Sequence, residues 1–315
     1  MTPPLVGLVG PTAVGKTEVA LELAEHLGAE IISVDSRQVY RGLDIGTAKP
    51  SPAERRRVPH HLVDCADPRD VYSAGRYQRD ASECIERLRE RGVRPLLVGG
   101  SGLYLRALLR GLCDGPTADP VFRGEWLARE RAEAGSIYRR LTEVDPASAS
   151  AIHPHDRSKA LRAVEVHAKT GASLSVIQRE HGFRVPRYEA VLVGLRRERD
   201  DLYRRIDARV DAMLEQGLMP EVAGLLREGY RAEDPGMLAV GYRHIAAVLL
   251  GGDLHAAVES VKRETRRYAK RQMTWFGADR DIRWIDLSPD ASASDTVERV
   301  MAALEEPAAV AGHRR

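Results

Sequence analysis

With 315 residues and 43% hydrophobic content, the chain can bury a large core and has the length of roughly two domains. A formal net charge of +2 excludes a protein drawn to polyanions by its overall charge, so any nucleic-acid contact must be a local patch. Cys65, Cys84 and Cys113 show no C-x-x-C spacing and no paired histidines, which reads as reduced thiols with neither a disulfide framework nor a zinc site. No apolar run is long enough to span a membrane, and the first strand begins too early to leave room for a signal peptide. A cytoplasmic monomer is the expectation.

The first predicted strand, over 5–9, runs directly into Gly10, Pro11, Thr12, Ala13, Val14, Gly15, Lys16 and Thr17, a full match to G-x-x-x-x-G-K-S/T. Helical apolar spacing follows over 18–27. Strand, glycine loop and helix in that order make a phosphate cradle. Loop N–H groups surround phosphate oxygens at a helix N-terminus, Lys16 neutralises charge, and the Thr17 hydroxyl is placed to ligate Mg²⁺. The motif reports phosphate binding and does not say whether the phosphate is hydrolysed.

A second strand over 30–34 delivers Asp35 to the carboxyl edge of a parallel sheet, the edge on which α/β proteins bind ligands. An acid there can hold Mg²⁺ through water or take a proton from a nucleophile, or it can simply cap the next turn. Lys49, in "GTAKP", is either a ligand contact or a solvated lysine. A helix is expected over 74–91 and a third strand over 95–98. The latter ends in Gly99-Gly100-Ser101 where a nucleotide hydrolase would carry an acid. The Ser101 hydroxyl is placed to donate to an anion or a reacting group.

Beyond "CDGPTADP" the texture turns charged and helix-rich, which predicts a helical insertion over 116–188. "EAVLVGL" then returns to strand character and should rejoin the parent sheet. The expected organisation is a P-loop α/β core with a parallel sheet, formed by 1–115 and 189–287 and carrying C-terminal basic helices, plus the insertion and a terminal helix with a frayed tail over 288–315. The strongest basic patch is "VKRETRRYAKRQMTWF", with Lys262, Arg263, Arg266, Arg267, Lys270 and Arg271 opposed only by Glu264. It suits RNA phosphates, with Tyr268, Trp275 or Phe276 stacking on bases or packing the helix on the sheet.

In order along the chain stand "GPTAVGKT", "DSRQVY", "GTAKP", "HHLVD", "YSAG", "GGSGLY", "HPHDRSKALRAVEV" and "KRQMTWF", from residue 9 to 276. This ordered set resembles the tRNA dimethylallyltransferases, also called tRNA isopentenyltransferases. The resemblance implies that the loop holds the diphosphate of dimethylallyl diphosphate with Mg²⁺. It also implies transfer of the isoprenoid to the exocyclic amine of the adenine 3′ of the anticodon, within the anticodon stem-loop. On the same resemblance Asp35 is the general base, Ser101, standing where threonine is usual, hydrogen-bonds near the transferring oxygen, and Arg209 binds the diphosphate. The implied tRNA face comprises Asp35, Ser36, Arg37, Gln38 and Ser101, Arg123, Lys159 and Arg162 of the insertion, and Arg266 and Lys270 of the basic helix. Two departures stand in the insertion, His155 where Asn is common and Lys159 where Arg is common, and a lysine loses the bidentate fork. The alternatives are an adenylate isopentenyltransferase, which needs neither insertion nor basic helix, and a small-molecule P-loop kinase, which must turn over ATP.

Overall fold

The computed structural model describes residues 3–113, 115–182 and 186–306. Its elements in chain order are β1 (Leu5–Val9), α1 (Lys16–Leu27), β2 (Ala29–Val34), α2 (Pro52–Arg57), β3 (His60–His61), α3 (Ala74–Glu90), β4 (Arg94–Gly99) and α4 (Gly102–Arg110). Then come α5 (Pro120–Ala132), α6 (Ser136–Val144), α7 (Pro146–Ala151), α8 (Arg157–Thr170) and α9 (Leu174–His181). The chain closes with β5 (Ala190–Arg197), α10 (Arg199–Glu215), α11 (Leu218–Arg227), α12 (Tyr242–Leu249), α13 (Leu254–Gly277), β6 (Arg283–Leu287) and α14 (Ala293–Glu305).

The strands form one parallel sheet in the order β3-β2-β4-β1-β5-β6. Alternation along the strands sends side chains to two buried faces, which is why they read as nearly continuous apolar runs. Ile32, Val34 and Leu97 meet α3, α4, α11 and α12 on one face. Leu8, Ile31, Leu96 and Val193 meet α1, α10 and α14 on the other. β5 pairs with β1 and so returns to the parent sheet as expected. β6, five residues long and only partly buried, carries too weak a period to announce itself, yet it extends the sheet beyond β5. α14 packs on the α1 face rather than standing apart; residues 307–315, read as a frayed tail, lie outside the described residues. Among the described residues no helix is long and apolar enough to cross a membrane.

The chain divides into two compact units, one of residues 1–109 with 187–315 and one of residues 110–186, against the 116–188 read from the sequence. The second unit gathers α5–α9 around Ile137, Leu141, Leu161 and Val164, with Phe122 and Trp126 at the edge. Asp119 caps α5 by accepting from the N–H groups of Val121 and Phe122, and Asp156 caps α8 at Lys159. Buried in the middle is Glu165, whose side chain is 0% exposed. It accepts from Arg123 Nε at 3.0 Å and Nη2 at 2.7 Å, from Arg162 Nη1 at 2.8 Å and from the Asp119 N–H at 2.7 Å. Burial pushes its pKa up, but those donors prevail and hold it down at about 2.

Because the folded value lies below that of the unfolded chain, Glu165 stabilises fully above about pH 4.5, and the contribution is lost as pH falls through about 2. Glu165→Gln should destabilise this unit by about 2–3 kcal/mol at neutral pH, since it leaves two guanidinium groups facing a neutral amide. It should also flatten the acid limb of the unfolding curve. Thermal or urea unfolding of both proteins across pH 2–7 checks this, and superimposable pH profiles would refute it.

Candidate active site

The site lies where the sheet changes winding direction. β1 feeds α1 and then β2, which lies beyond β4, whereas β5 lies on the opposite side of β1, so a crevice opens above the carboxyl ends of β1 and β4. The loop over 10–17 crosses β1's end of that crevice. Gly10 adopts φ +149°, and a Cβ there would sit 2.6 Å from the Leu195 carbonyl oxygen, so only glycine lets the loop leave β1 beside β5. Gly15, at φ +108°, turns the chain into α1, whose first residues are Lys16 and Thr17.

Cations gather around this loop. Lys16 Nζ donates to the carbonyls of Gly10 (2.9 Å) and Pro11 (2.7 Å). Arg197, the last residue of β5, donates through Nε to Val14 O at 2.9 Å and pairs with Asp201 at 3.0 Å. Arg205, on α10, donates through Nε to Ala13 O at 2.9 Å. Arg209, one turn further on, lines the same cavity. Desolvation, and next the nearby Arg209, push the Lys16 ammonium down to about 7, with Asp35 opposing. Arg209 is lowered by burial as well, while Asp35 supports its charge.

Asp35 stands at the end of β2. Its Oδ1 accepts from the N–H groups of Arg37 (2.8 Å) and Gln38 (3.3 Å), so the capping role is real, while Oδ2 takes no hydrogen bond among the described residues. Ser101 does not line the cavity: its Oγ accepts from Ser36 N–H at 3.0 Å and neighbours the Tyr268 hydroxyl. Burial first, and then the Asp35 charge, push that phenol up to about 12. Gln38 donates to the Thr47 and Ala48 carbonyls, and Arg37 Nη1 donates to Pro235 O at 3.0 Å, so both side chains brace neighbouring loops.

Two cavities meet here. One of about 460 Å³ contains the cradle, with Lys16, Thr17, Arg205 and Arg209. The other, of about 330 Å³, has Ile206, Val210, Met213, Val240 and Val261 in its walls. Thr12, Asp35, Thr47, Arg209 and Tyr268 belong to both. The Asp35 carboxylate therefore stands at the boundary between the cradle chamber and a second one, whose wall sets those aliphatic side chains beside Arg37, Arg243, Glu264 and Arg271.

Several sequence-based assignments take a different form. Lys49 is neither a ligand contact nor solvated: its side chain is 1% exposed, and Nζ is held by Tyr40 O (2.8 Å), Asp44 (2.5 Å) and Asp64 (2.5 Å). Arg266 pairs with Asp207 at 3.1 Å and Lys262 with Asp211 at 2.7 Å, so these two tie α13 to α10, while Lys270 is exposed. Arg123, Lys159 and Arg162 belong to the helical unit, where Lys159 pairs with Asp156 and the two arginines serve Glu165. Sequence reasoning passed over Arg197 and Gln272. Arg205 and Arg209, spaced i,i+4 on α10, carried a detectable signal, as did Tyr268 and Gln272 on α13.

Fold and loop geometry together define a P-loop α/β protein. The family model for IPP transferase matches residues 38–279. A tRNA dimethylallyltransferase 2 of Geotalea uraniireducens is 49% identical over 284 residues, covering 90% of this chain and 92% of that protein. Among solved structures, the full-length tRNA isopentenylpyrophosphate transferase of Bacillus halodurans matches with a TM-score of 0.69 at 39% identity, over 96% of this chain and 97% of that one. A eukaryotic dimethylallyltransferase acting on tRNA matches with a TM-score of 0.79 at 26% identity, over 96% and 78%. The chain belongs to the IPP transferase family, whose relatives are named tRNA dimethylallyltransferases.

An anion seated beside Lys16 should return its pKa toward the ordinary value, so diphosphate binding should take up a proton. Relative to Lys16→Met, wild type should absorb most of one additional proton per site at pH 8 and progressively less as pH falls through about 7, because the free-state ammonium is held down near that value. Calorimetric titration with diphosphate in buffers of different ionisation enthalpy measures this. Equal uptake by both proteins would remove Lys16 from the linkage.

Proposed function

We propose that the chain transfers a dimethylallyl group from dimethylallyl diphosphate to the exocyclic amine of the adenine 3′ of the anticodon in tRNA, with release of diphosphate. The observation that carries this reading is the pair of cavities meeting at Asp35, Thr12 and Arg209. Group transfer between two large substrates needs two entrances to one reacting point, and the base has to stand at their junction.

The diphosphate occupies the cradle, with loop N–H groups, Lys16 and Arg209 facing its oxygens. As the carbon–oxygen bond of the isoprenoid breaks and charge grows on the leaving diphosphate, these fixed cations stabilise it without reorganising. The target adenine is everted from its stack and enters through the second cavity. An aromatic amine is a weak nucleophile, because its lone pair is delocalised into the ring. Asp35 Oδ2 takes the amine proton as the new carbon–nitrogen bond forms.

A divalent cation, Mg²⁺, fits this donor set only in part. Among the described residues no group of three His, Cys, Asp or Glu side chains could hold a metal by itself, so the Thr17 hydroxyl would hold it together with the diphosphate oxygens. When bound it supplies further neutralisation of the leaving group. The kinase alternative lacks an acid at the end of β4, where Gly99-Gly100-Ser101 stand.

Labelled dimethylallyl diphosphate with Mg²⁺, offered unmodified tRNA and AMP separately, should place label in tRNA alone, with ATP neither consumed nor required. Asp35→Ala should slow single-turnover transfer about a hundredfold or more while tRNA affinity stays near wild type. Label in AMP, coupled ATP hydrolysis, or an Asp35 variant that transfers normally would each count against the proposal.

The tRNA phosphates meet α13 through the side chains that are not already paired. Arg267 and Lys270 are exposed with no ion-pair partner among the described residues, whereas Arg266 is committed to Asp207. Replacing Arg267 and Lys270 together by alanine should therefore reduce the slope of log affinity against log salt by about one to two, alike for all tRNA substrates. Arg266→Ala should change thermal stability more than that slope. Filter binding over a salt series separates them, and an unchanged slope in the double variant would make this a merely solvated face.

A further inference from the structure

One buried amide joins the two loops of the site. Gln272, on α13, is 5% exposed. Its Oε1 accepts from the Thr12 N–H at 2.9 Å, and its Nε2 donates to the Gly100 carbonyl at 3.0 Å. The two bonds fix the amide's orientation, because a flip would set donor against donor and acceptor against acceptor. The next residue, Ser101, accepts from the Ser36 N–H, and Ser36 follows Asp35. A continuous line of hydrogen bonds and peptide links therefore runs from the phosphate cradle to the turn that carries the carboxylate. Gly100 makes room for it: a Cβ there would lie 2.2 Å from Gln272 Nε2.

We propose that Gln272 is a positioning residue that sets the separation between the phosphate cradle and Asp35, and with it the alignment of leaving group and accepting amine. The assignment rests on the prenyl-transfer reading above. Gln272 borders the cradle cavity, but both polar atoms of its amide are committed to the two loops, so it acts through them and not on the reacting atoms. It also engages the Thr12 N–H, so diphosphate binding falls to the rest of the loop and to its cations, and loss of Gln272 should disturb alignment more than affinity.

Gln272→Met keeps the bulk of the side chain and removes both bonds. It should lower kcat on the order of 10–100-fold, the scale expected when reacting groups shift by up to about an ångström, with the KM for dimethylallyl diphosphate within about threefold of wild type. In a double-mutant cycle with Ser101→Ala the two losses should fail to multiply, since both cut the same line. An unchanged kcat, a raised KM in place of a lowered kcat, or losses that multiply in full would overturn the assignment. If Gln272→Met does not fold, Gln272→Asn is read by the same criteria: it keeps a neutral amide but is one methylene too short to reach Thr12 and Gly100 together. A wild type that transfers nothing to tRNA overturns both this assignment and the reaction it rests on. Normal wild-type transfer with an indifferent Gln272 variant overturns the assignment alone.

Discussion

Like charges brought together at the end of β1 are the constraint around which this molecule is organised. Lys16, Arg197, Arg205 and Arg209 converge on one short loop, and their mutual repulsion, with the loss of water, works against the folded state. The fold meets this with carbonyl oxygens and not with a matching set of acids. Gly10, Pro11, Ala13 and Val14 each turn a carbonyl toward one of the cations, and Asp201 and Asp35 are the nearby carboxylates. Carbonyl dipoles hold a cation in place without cancelling its charge, so the field remains available to an anion. A carboxylate matched to each cation would have cancelled that field.

The same economy governs the second loop. Asp35 commits one carboxylate oxygen to its own turn, while the other takes no hydrogen bond among the described residues, so on the proposed reaction its rigidity and its chemistry come from different atoms. Around it, Ser101, Tyr268, Gln38 and the buried Lys49 with Asp44 and Asp64 serve as bracing. Ala48, Leu62 and Asp64 adopt positive φ without being glycine, and all three lie on the loops that Lys49 and Gln38 hold down. Strained backbone of this kind persists only where its surroundings over-determine it.

The cradle and the strands of the sheet interior were legible in the sequence because their signals are local: a glycine-rich loop of fixed spacing, and apolar runs bounded by turns. Asp35 was legible because a parallel sheet leaves its ligands at one edge, so strand order alone brings the residue to the cradle. What stayed hidden depends on partners remote in the chain. Nothing near Lys49 announces that Asp64 will bury it, and the charge run on α13 does not say which of its cations face α10. Gln272 stood in plain view inside "KRQMTWF", but its role follows from an amide oxygen and an amide nitrogen reaching Thr12 and Gly100, 260 and 172 residues away. β6 failed for a simpler reason, being too short and too half-buried to impose a period.

The position of β1 between β4 and β5 also bears on how the protein is made. A chain leaves the ribosome N-terminus first, so the phosphate loop emerges well before β5, one of its flanking strands, which follows only after the whole helical unit has been synthesised. Until then β1 has an open edge, and the groups that steady the loop from that side, Arg197 on Val14 and Arg205 on Ala13, do not yet exist. A nascent chain halted before residue 190 therefore carries the whole P-loop motif without the strand and the two arginines that brace it.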